Sequence, residues 1–114
     1  MLLTEIVKTL DLGIAAGEDL LDREVRGGYA SDMLSMVIAS AKKDDIWLTI
    51  QVHPNIVAVA VLKELAGIVM VGGKKPAEET LAKARNEGIV ILTSPLPAYE
   101  LAGKLYAAGL RGTD

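Results

Sequence analysis

Three short apolar runs recur at nearly equal spacing, and this repeat constrains the fold more than any other feature of the chain. The runs cover residues 45–49, 67–71 and 88–92, so that their first residues lie 22 and 21 positions apart. Each run is followed by a proline and then by a segment about one helix long. Runs rich in β-branched residues predict strands, and proline is favoured at the start of a helix, where its missing N–H would be unpaired anyway. The repeat therefore predicts three successive β–α units.

The three runs are apolar throughout and do not alternate with polar residues, which is typical of strands covered on both faces. Successive β–α units then join parallel strands by right-handed crossovers. The chain has 114 residues and a mass of 12.1 kDa, which suits one domain with one core. We predict a single α/β domain over residues 1–114, with a small, mostly parallel sheet flanked by helices. A period of about 21 residues also occurs in solenoids, but three units with unlike helices favour one wound sheet.

The remaining elements are predicted from local patterns. Residues 4–11 read as a short helix that Gly13 and Gly17 end, and residues 25–30 read as a strand. Ser31 is a favourable N-cap for a helix that carries Leu34, Val37, Ile38 and Ala41 at helical spacing.

Two of the later helices have unusual composition. Residues 56–62 are apolar all round, so we expect that helix to be buried on more than one side, with a second subunit as one source of cover. An alternating strand is the less favoured interpretation of the same residues. Tyr99 and Tyr106 lie seven positions apart on the last helix, and we expect them to have a packing role in preference to stacking on a ligand.

Composition excludes several classes of function. Twelve basic and fifteen acidic residues give a net charge of −3, which argues against a protein that binds nucleic acid through phosphate contacts. The chain has no cysteine and one histidine, so disulfides, thiolate metal sites and multi-histidine metal sites within one chain are excluded. The longest uncharged stretch, residues 46–62, is short and polar at its centre, and no signal peptide is apparent. We expect a cytoplasmic protein with no membrane segment, metal or cofactor.

Small, polar and basic residues follow each of the three apolar runs. In a parallel sheet, ligands gather beyond the carboxyl ends of the strands. We therefore predict ligand-binding residues there, and they are Gln51, His53, Asn55, Gly72, Gly73, Lys74, Thr93 and Ser94.

The segment from Gly72 to Lys74 is the best candidate for an anion site. Two glycines let a ligand approach backbone N–H groups, and the following helix N-terminus favours negative charge. The alternative is a turn that needs glycine for positive φ, with Glu78 and Glu79 already using the helix dipole. The spacing does not match a P-loop.

No catalytic residue is predicted. His53 has no sequence-local partner that would orient it as a base, and Ser94 lacks the spacing of a nucleophile elbow. A small enzyme that uses His53 with Ser94 stays as a third hypothesis. The neighbouring Asp44 and Asp45 read as a turn before a strand more readily than as a cation site.

Four segments together resemble the DRTGG domain family, and the resemblance runs across roughly residues 4–109. The segments are residues 27–34 (GGYASDML), 45–51 (DIWLTIQ), 67–76 (GIVMVGGKKP) and 88–95 (GIVILTSP). In place of the family's Asp-Arg pair the chain has Val52 and His53, and Val71 stands where the family has Thr before Gly-Gly. The alternative match to the family's Asp-Arg and Gly-Gly residues is Asp22 and Arg23, followed by Gly27 and Gly28.

The resemblance implies a regulatory module. DRTGG domains occur beside CBS domains in pyrophosphatases and in phosphotransacetylases, are similar to the N-terminal domain of HPr kinase/phosphorylase, and tend to pair as homodimers. We therefore predict a non-enzymatic, homodimeric regulatory domain that senses a nucleotide or another phosphorylated small molecule. The alternative is a protein-interaction module without a small ligand, which docks a partner protein through residues 56–62.

Overall fold

The computed structural model describes residues 1–112, which form five helices and five strands. Within these residues no helix is both long enough and apolar enough to cross a membrane. In chain order the elements are α1 (Leu3–Leu10), β1 (Gly13–Ala16), β2 (Gly27–Ala30), α2 (Leu34–Ser40), β3 (Asp45–Thr49), α3 (Asn55–Lys63), β4 (Gly67–Met70), α4 (Glu78–Glu87), β5 (Ile91–Thr93) and α5 (Ala98–Ala107).

The five strands form one sheet in the order β1-β5-β4-β3-β2. Strands β2 to β5 pair in parallel with their chain neighbours, and β1 joins the far side of β5 in the antiparallel direction. Trp47 in the middle of β3 lies between Tyr29 of β2 and Ile68 of β4. The predicted fold, a small and mostly parallel sheet flanked by helices, is confirmed.

Helices cover both faces of the sheet, and successive side chains of each strand enter opposite cores. Ile46 and Leu48 of β3 belong to the core under α1 and α5. Trp47, between them, belongs to the core under α2, α3 and α4. Because side chains of a strand alternate between the two faces of a sheet, a strand covered on both faces is apolar at every position. This explains why the three repeated runs show no alternation.

The strand β1 was not predicted, because its four residues have no strand signal of their own. Gly13 opens it beside β5, where a Cβ would lie 2.5 Å from the Thr93 Oγ1 atom. Gly17 ends it with φ of +91°, a conformation that favours glycine. The glycines were interpreted as helix breakers, but here they let a short edge strand approach β5 closely.

Helices begin near the prolines, but not at the predicted positions. Pro54 and Pro97 are N-cap residues, and Pro76 lies two positions before α4 begins. Ser31 is not the cap of α2, since that position is taken by Met33. The Ser31 hydroxyl instead accepts the Met33 N–H at 3.2 Å, and the Ser31 carbonyl accepts the Trp47 Nε1–H at 2.8 Å. The serine therefore joins the end of β2 to the core.

The helix α3 is confirmed as a helix with apolar residues on every side. Its inner residues Ile56, Val57, Val59 and Ala60 are buried, whereas Ala58, Val61 and Leu62 are exposed on its outer side.

Replacing Trp47 should cost much of the stability of the fold. The side chain is fully buried, and large-to-small substitutions of this kind cost about 3–5 kcal/mol. We expect Trp47→Ala to lower the free energy of unfolding by about that amount, and Trp47→Phe by less. Urea unfolding followed by far-ultraviolet circular dichroism measures both. Leu62→Ala, on the exposed side of α3, is the control, and equal losses in the Trp47 and Leu62 variants would contradict the assignment of the core.

Candidate functional site

The carboxyl ends of β2, β3, β4 and β5 meet at one edge of the sheet, here named the C-terminal edge. Four loops rise from it: residues 31–33, 50–54, 71–77 and 94–97. The predicted ligand-binding residues lie in or beside the last three loops. Because β3, β4 and β5 are adjacent in the sheet, these residues form three neighbouring groups, which are Gln51, His53 and Asn55, then Gly72, Gly73 and Lys74, then Thr93 and Ser94.

Hydrogen bonds hold the loop after β3 against the start of α4. The Val52 carbonyl accepts the Ala77 N–H at 3.2 Å and the Thr80 hydroxyl at 2.6 Å. Thr80 is fully buried, so its hydrogen bond to Val52 lies at the boundary of the core. The main chain next to His53 therefore lies beside the segment that follows Lys74.

The Gly72-Gly73 turn needs glycine, but its backbone donors are used within the chain. The two residues have φ of +67° and +73°, which favours glycine. The Gly72 N–H donates to the Leu96 carbonyl at 2.7 Å, and the Gly73 N–H donates to the Ser94 carbonyl at 3.0 Å. The expectation that these N–H groups face a ligand is therefore wrong, because they join the turn to the loop after β5. An anion at this turn would meet the exposed side chains of Lys74 and Lys75.

Ser94 has a structural role at the C-terminal edge. It is buried, its hydroxyl accepts the Leu96 N–H at 3.1 Å, and its own N–H donates to the Met70 carbonyl at 2.9 Å. The strand β4 separates the strands that carry Ser94 and His53, so those strands lie about 10 Å apart. No side-chain hydrogen bond joins the two residues in the part of the chain that the structure describes. The arrangement gives no support to a His53–Ser94 catalytic pair.

Asp32 is a site residue that the sequence analysis missed. Its Oδ1 atom accepts the Thr49 hydroxyl and the Ile50 N–H, both at 2.9 Å. Its carbonyl accepts the Gln51 Nε2–H at 2.9 Å. Gln51 therefore turns toward the loop after β2. The signal in the sequence is a carboxylate two positions after the predicted strand, next to the serine that the pattern favours as an N-cap.

Two lysines follow β4 at the C-terminal edge. Lys74 and Lys75 are exposed, and neither forms an ion pair within residues 1–112. The first turn of α3 has no acidic residue, whereas the first turn of α4 has Glu78 and Glu79. Since a helix N-terminus attracts anions and a carboxylate there competes, the side toward α3 is the more favourable place for a negative group.

Metal binding has no support in the described part of the chain. Among residues 1–112, no group of three or more histidine or acidic side chains is placed to hold an ion. Asp44 and Asp45 form the predicted turn: Asp44 has φ of +68°, and the Asp45 Oδ2 atom accepts the Lys42 N–H at 2.8 Å.

Several depressions lie near the site. One, of about 550 Å³, lies beside the loop after β5 and includes Ser94 in its lining. Another, of about 370 Å³, reaches the C-terminal edge beside β1 and includes Lys75 and Thr93. A smaller one, of about 110 Å³, lies between β2 and α5, and its lining includes Tyr29 and Tyr106. The position of this last depression depends on how α5 crosses the sheet, which the sequence pattern does not show.

Comparison with known proteins shows the fold. No family model matches this chain, and no curated protein matches it. A crystal structure of the CBS and DRTGG domains of the regulatory region of Clostridium perfringens pyrophosphatase, complexed with the activator diadenosine tetraphosphate, is similar to it with a TM-score of 0.69. The sequences are 17% identical, and the match covers 90% of this chain and 45% of that chain. The chain therefore has a fold like that found in this CBS and DRTGG region, and it spans less than half of that structure.

Removing the Asp32 carboxylate should destabilise the protein. The Thr49 side chain is buried, and a buried hydroxyl that loses its acceptor costs about 1–3 kcal/mol. We expect Asp32→Ala to lower the free energy of unfolding by that amount, and Asp32→Asn, which keeps an acceptor oxygen, to lower it less. Urea unfolding followed by the fluorescence of the single tryptophan measures the change.

The variant Thr49→Val is the matched control. In this background Asp32→Ala should cost less than it does alone, because the hydroxyl that would be left without an acceptor is gone. If the two costs simply add, the Asp32–Thr49 hydrogen bond does not stabilise the fold.

Proposed function

We propose that this chain is a non-catalytic, homodimeric regulatory domain that senses a nucleotide or another phosphorylated small molecule at the C-terminal edge. The observation that carries the proposal is its fold, which is similar to the regulatory region of a pyrophosphatase that binds the activator diadenosine tetraphosphate. That region is regulatory and not the catalytic part of its enzyme, which favours the same role here.

The chemistry of the C-terminal edge supports a negatively charged ligand. Lys74 and Lys75 supply two ammonium groups without ion-pair partners among the described residues. His53 and Asn55 are exposed beside the start of α3, where the helix dipole adds positive potential. Phosphate oxygens are strong acceptors for such donors. In this proposal the lysines bind the phosphates, and His53 and Asn55 contact the rest of the ligand.

The other predicted residues shape the site in this proposal. Gly72 and Gly73 give the turn that carries Lys74, and Ser94 fixes the next loop against that turn. Gln51 and Thr93 line the two sides of the edge. Because Ser94 is buried and its hydroxyl accepts a backbone N–H, a supporting role suits it better than that of a nucleophile.

Lys74→Glu should abolish ligand binding. The substitution replaces a phosphate-binding cation with a carboxylate, so we expect the affinity to fall by at least about tenfold. The probes are ATP, diadenosine tetraphosphate and inorganic phosphate, measured by thermal shift and isothermal titration calorimetry. A probe present at 100 times its Kd adds about 2.7 kcal/mol of stability, which for a domain of this size raises Tm by roughly 10 °C.

The matched control for this experiment is Lys42→Glu. Lys42 precedes β3 and so lies at the opposite edge of the sheet, and its substitution changes the net charge by the same amount. Binding should survive in this variant. Equal loss in both variants would point to net charge alone, and no response of the wild-type protein to any probe would contradict the proposed ligand class.

A second candidate function is docking of a partner protein, and it is favoured by the outer surface of α2 and α3. The two helices pack side by side, and together they contain one charged residue, Lys63. This surface, here named the α2–α3 face, exposes Met36, Ile38, Ala58, Val61 and Leu62. Exposed apolar patches of this kind mark interaction sites in soluble proteins.

Leu62→Glu tests the second candidate, because Leu62 is the most exposed residue of α3 with a large apolar side chain. A partner isolated with the wild-type chain and then purified should bind it directly, and binding to the Leu62→Glu variant should be at least about tenfold weaker. Lys83→Glu, on the neighbouring helix α4, is the control. A partner that binds both variants equally well uses another surface.

A further inference from the structure

Two tyrosines on α5 face outward and are not part of the core. The side chain of Tyr99 is 88% exposed and that of Tyr106 is 54% exposed. The expected packing role is not met within the single chain, because Leu101 and Leu105 fill the inner side of the helix. A large aromatic side chain that stays in water gains nothing from its apolar area, so the two positions call for an explanation outside the single chain.

Gly103 lies between the two tyrosines, and no contact among residues 1–112 requires a glycine there. The residue is in the middle of α5, where glycine is less stable than alanine by about 0.5–1 kcal/mol. A Cβ at this position would meet no atom within 4 Å. Since glycine also allows close approach of another backbone, the missing side chain leaves room for a molecule to pack closely on the outside of α5.

The surface around Gly103 has the shape of a shallow groove. Its volume is about 500 Å³, and its lining includes both tyrosines, Glu100 and Lys104. The Arg111 guanidinium lies 4.3 Å from the centre of the Tyr106 ring, a cation–π contact that holds the ring in place. The groove therefore has a glycine floor, a tyrosine at each end and a pair of opposite charges along one side.

We propose that this α5 face, defined by Tyr99, Glu100, Gly103, Lys104 and Tyr106, binds a second copy of the chain. The two α5 helices would cross antiparallel about a two-fold axis near Gly103. This inference rests on the homodimer of the proposed function and assigns its interface.

The α5 face is complementary to itself in shape. Tyr99 lies four residues before Gly103 and Tyr106 lies three residues after it. In an antiparallel pair centred there, Tyr99 of one protomer meets Tyr106 of the partner subunit, and the same contact occurs twice. The two Gly103 residues face each other and let the helices approach closely. A two-fold interface requires such pairing of one surface patch with its own copy.

The α5 face is also complementary to itself in charge. Glu100 and Lys104 lie on the same side of α5, four residues apart. A two-fold axis that reverses the helix direction keeps that side facing its own copy. Glu100 then meets Lys104 of the partner subunit, and Lys104 meets Glu100 of the partner subunit. An unrelated partner would not need both the charges and the tyrosines in this symmetric order, so the pattern favours a second copy.

Charge reversal tests the proposal, with mass measured by light scattering and sedimentation velocity. We expect a dimer for the wild-type chain and at least about tenfold weaker dimerisation for Glu100→Lys and for Lys104→Glu, since each places like charges opposite each other. An equal mixture of these two variants should form a heterodimer. The Glu100→Lys variant has two positively charged side chains on the α5 face, and the Lys104→Glu variant has two negatively charged ones that can pair with them. The double variant Glu100→Lys with Lys104→Glu should dimerise by itself.

Gly103→Leu separates folding from association. Leucine is a better helix former than glycine, and its side chain would enter open space in the single chain, so the fold should persist while the dimer is lost. Lys83→Glu, on α4 at the opposite face of the sheet from α5, should stay dimeric. A wild-type monomer at the concentrations tested would overturn both the homodimer and this interface. A wild-type dimer that survives in all the α5 variants, or single-reversal variants that fail to associate when mixed, would overturn the interface alone.

Calorimetric titration of the same variants with diadenosine tetraphosphate keeps the two proposals distinguishable. Loss of the dimer with unchanged saturable binding places the α5 interface apart from the ligand site and supports it. Binding that is absent already in a dimeric wild-type chain would overturn the proposed ligand and leave the interface supported.

Discussion

The burial of β3 and β4 on both faces is the constraint on which the rest of the structure depends. Every residue of these two strands is buried, and their side chains enter two separate cores in turn. A strand with no solvent-facing side cannot carry exposed polar groups. The central strands therefore leave contacts with other molecules to the two edges where strands begin and end, to the edge strands β1 and β2, and to the outer faces of the helices.

The edge of the sheet where the parallel strands begin differs from the C-terminal edge in how its charged side chains are paired. At the edge where the strands begin, Asp44 pairs with Arg23 at 3.1 Å and with Arg26 at 3.4 Å. These ion pairs and the turn at Asp44 close that edge. At the C-terminal edge, Asp32 is committed to Thr49 and to the backbone of Ile50. The lysines after the Gly72-Gly73 turn have no such role, which is why the proposed ligand site lies there.

The sequence predicted elements whose signal is local and missed those that depend on distant residues. The runs around Trp47 and Ile68 are continuous and apolar, so β3 and β4 could be predicted from the sequence pattern alone. The strand at Gly13–Ala16 exists because β5, almost eighty residues later, pairs with it. The role of Asp32 depends on Thr49, 17 residues away. Helical spacing placed Leu101 and Leu105 on one side of α5, but it could not show that Tyr99, on the opposite side, is left exposed by the rest of residues 1–112.

The ligand site proposed at Lys74 and the interface proposed on the α5 face are connected through one loop. The Gly72 N–H donates to the Leu96 carbonyl and the Gly73 N–H donates to the Ser94 carbonyl, both in the segment that leads into α5. A ligand that moves the Gly72-Gly73 turn must therefore move the start of α5 or break these hydrogen bonds. Coupling of this kind is reciprocal, so a ligand that binds the dimer more tightly must also strengthen the dimer by the same factor. A shift of this one loop is therefore the smallest rearrangement that would connect binding at the C-terminal edge with the interface proposed on α5.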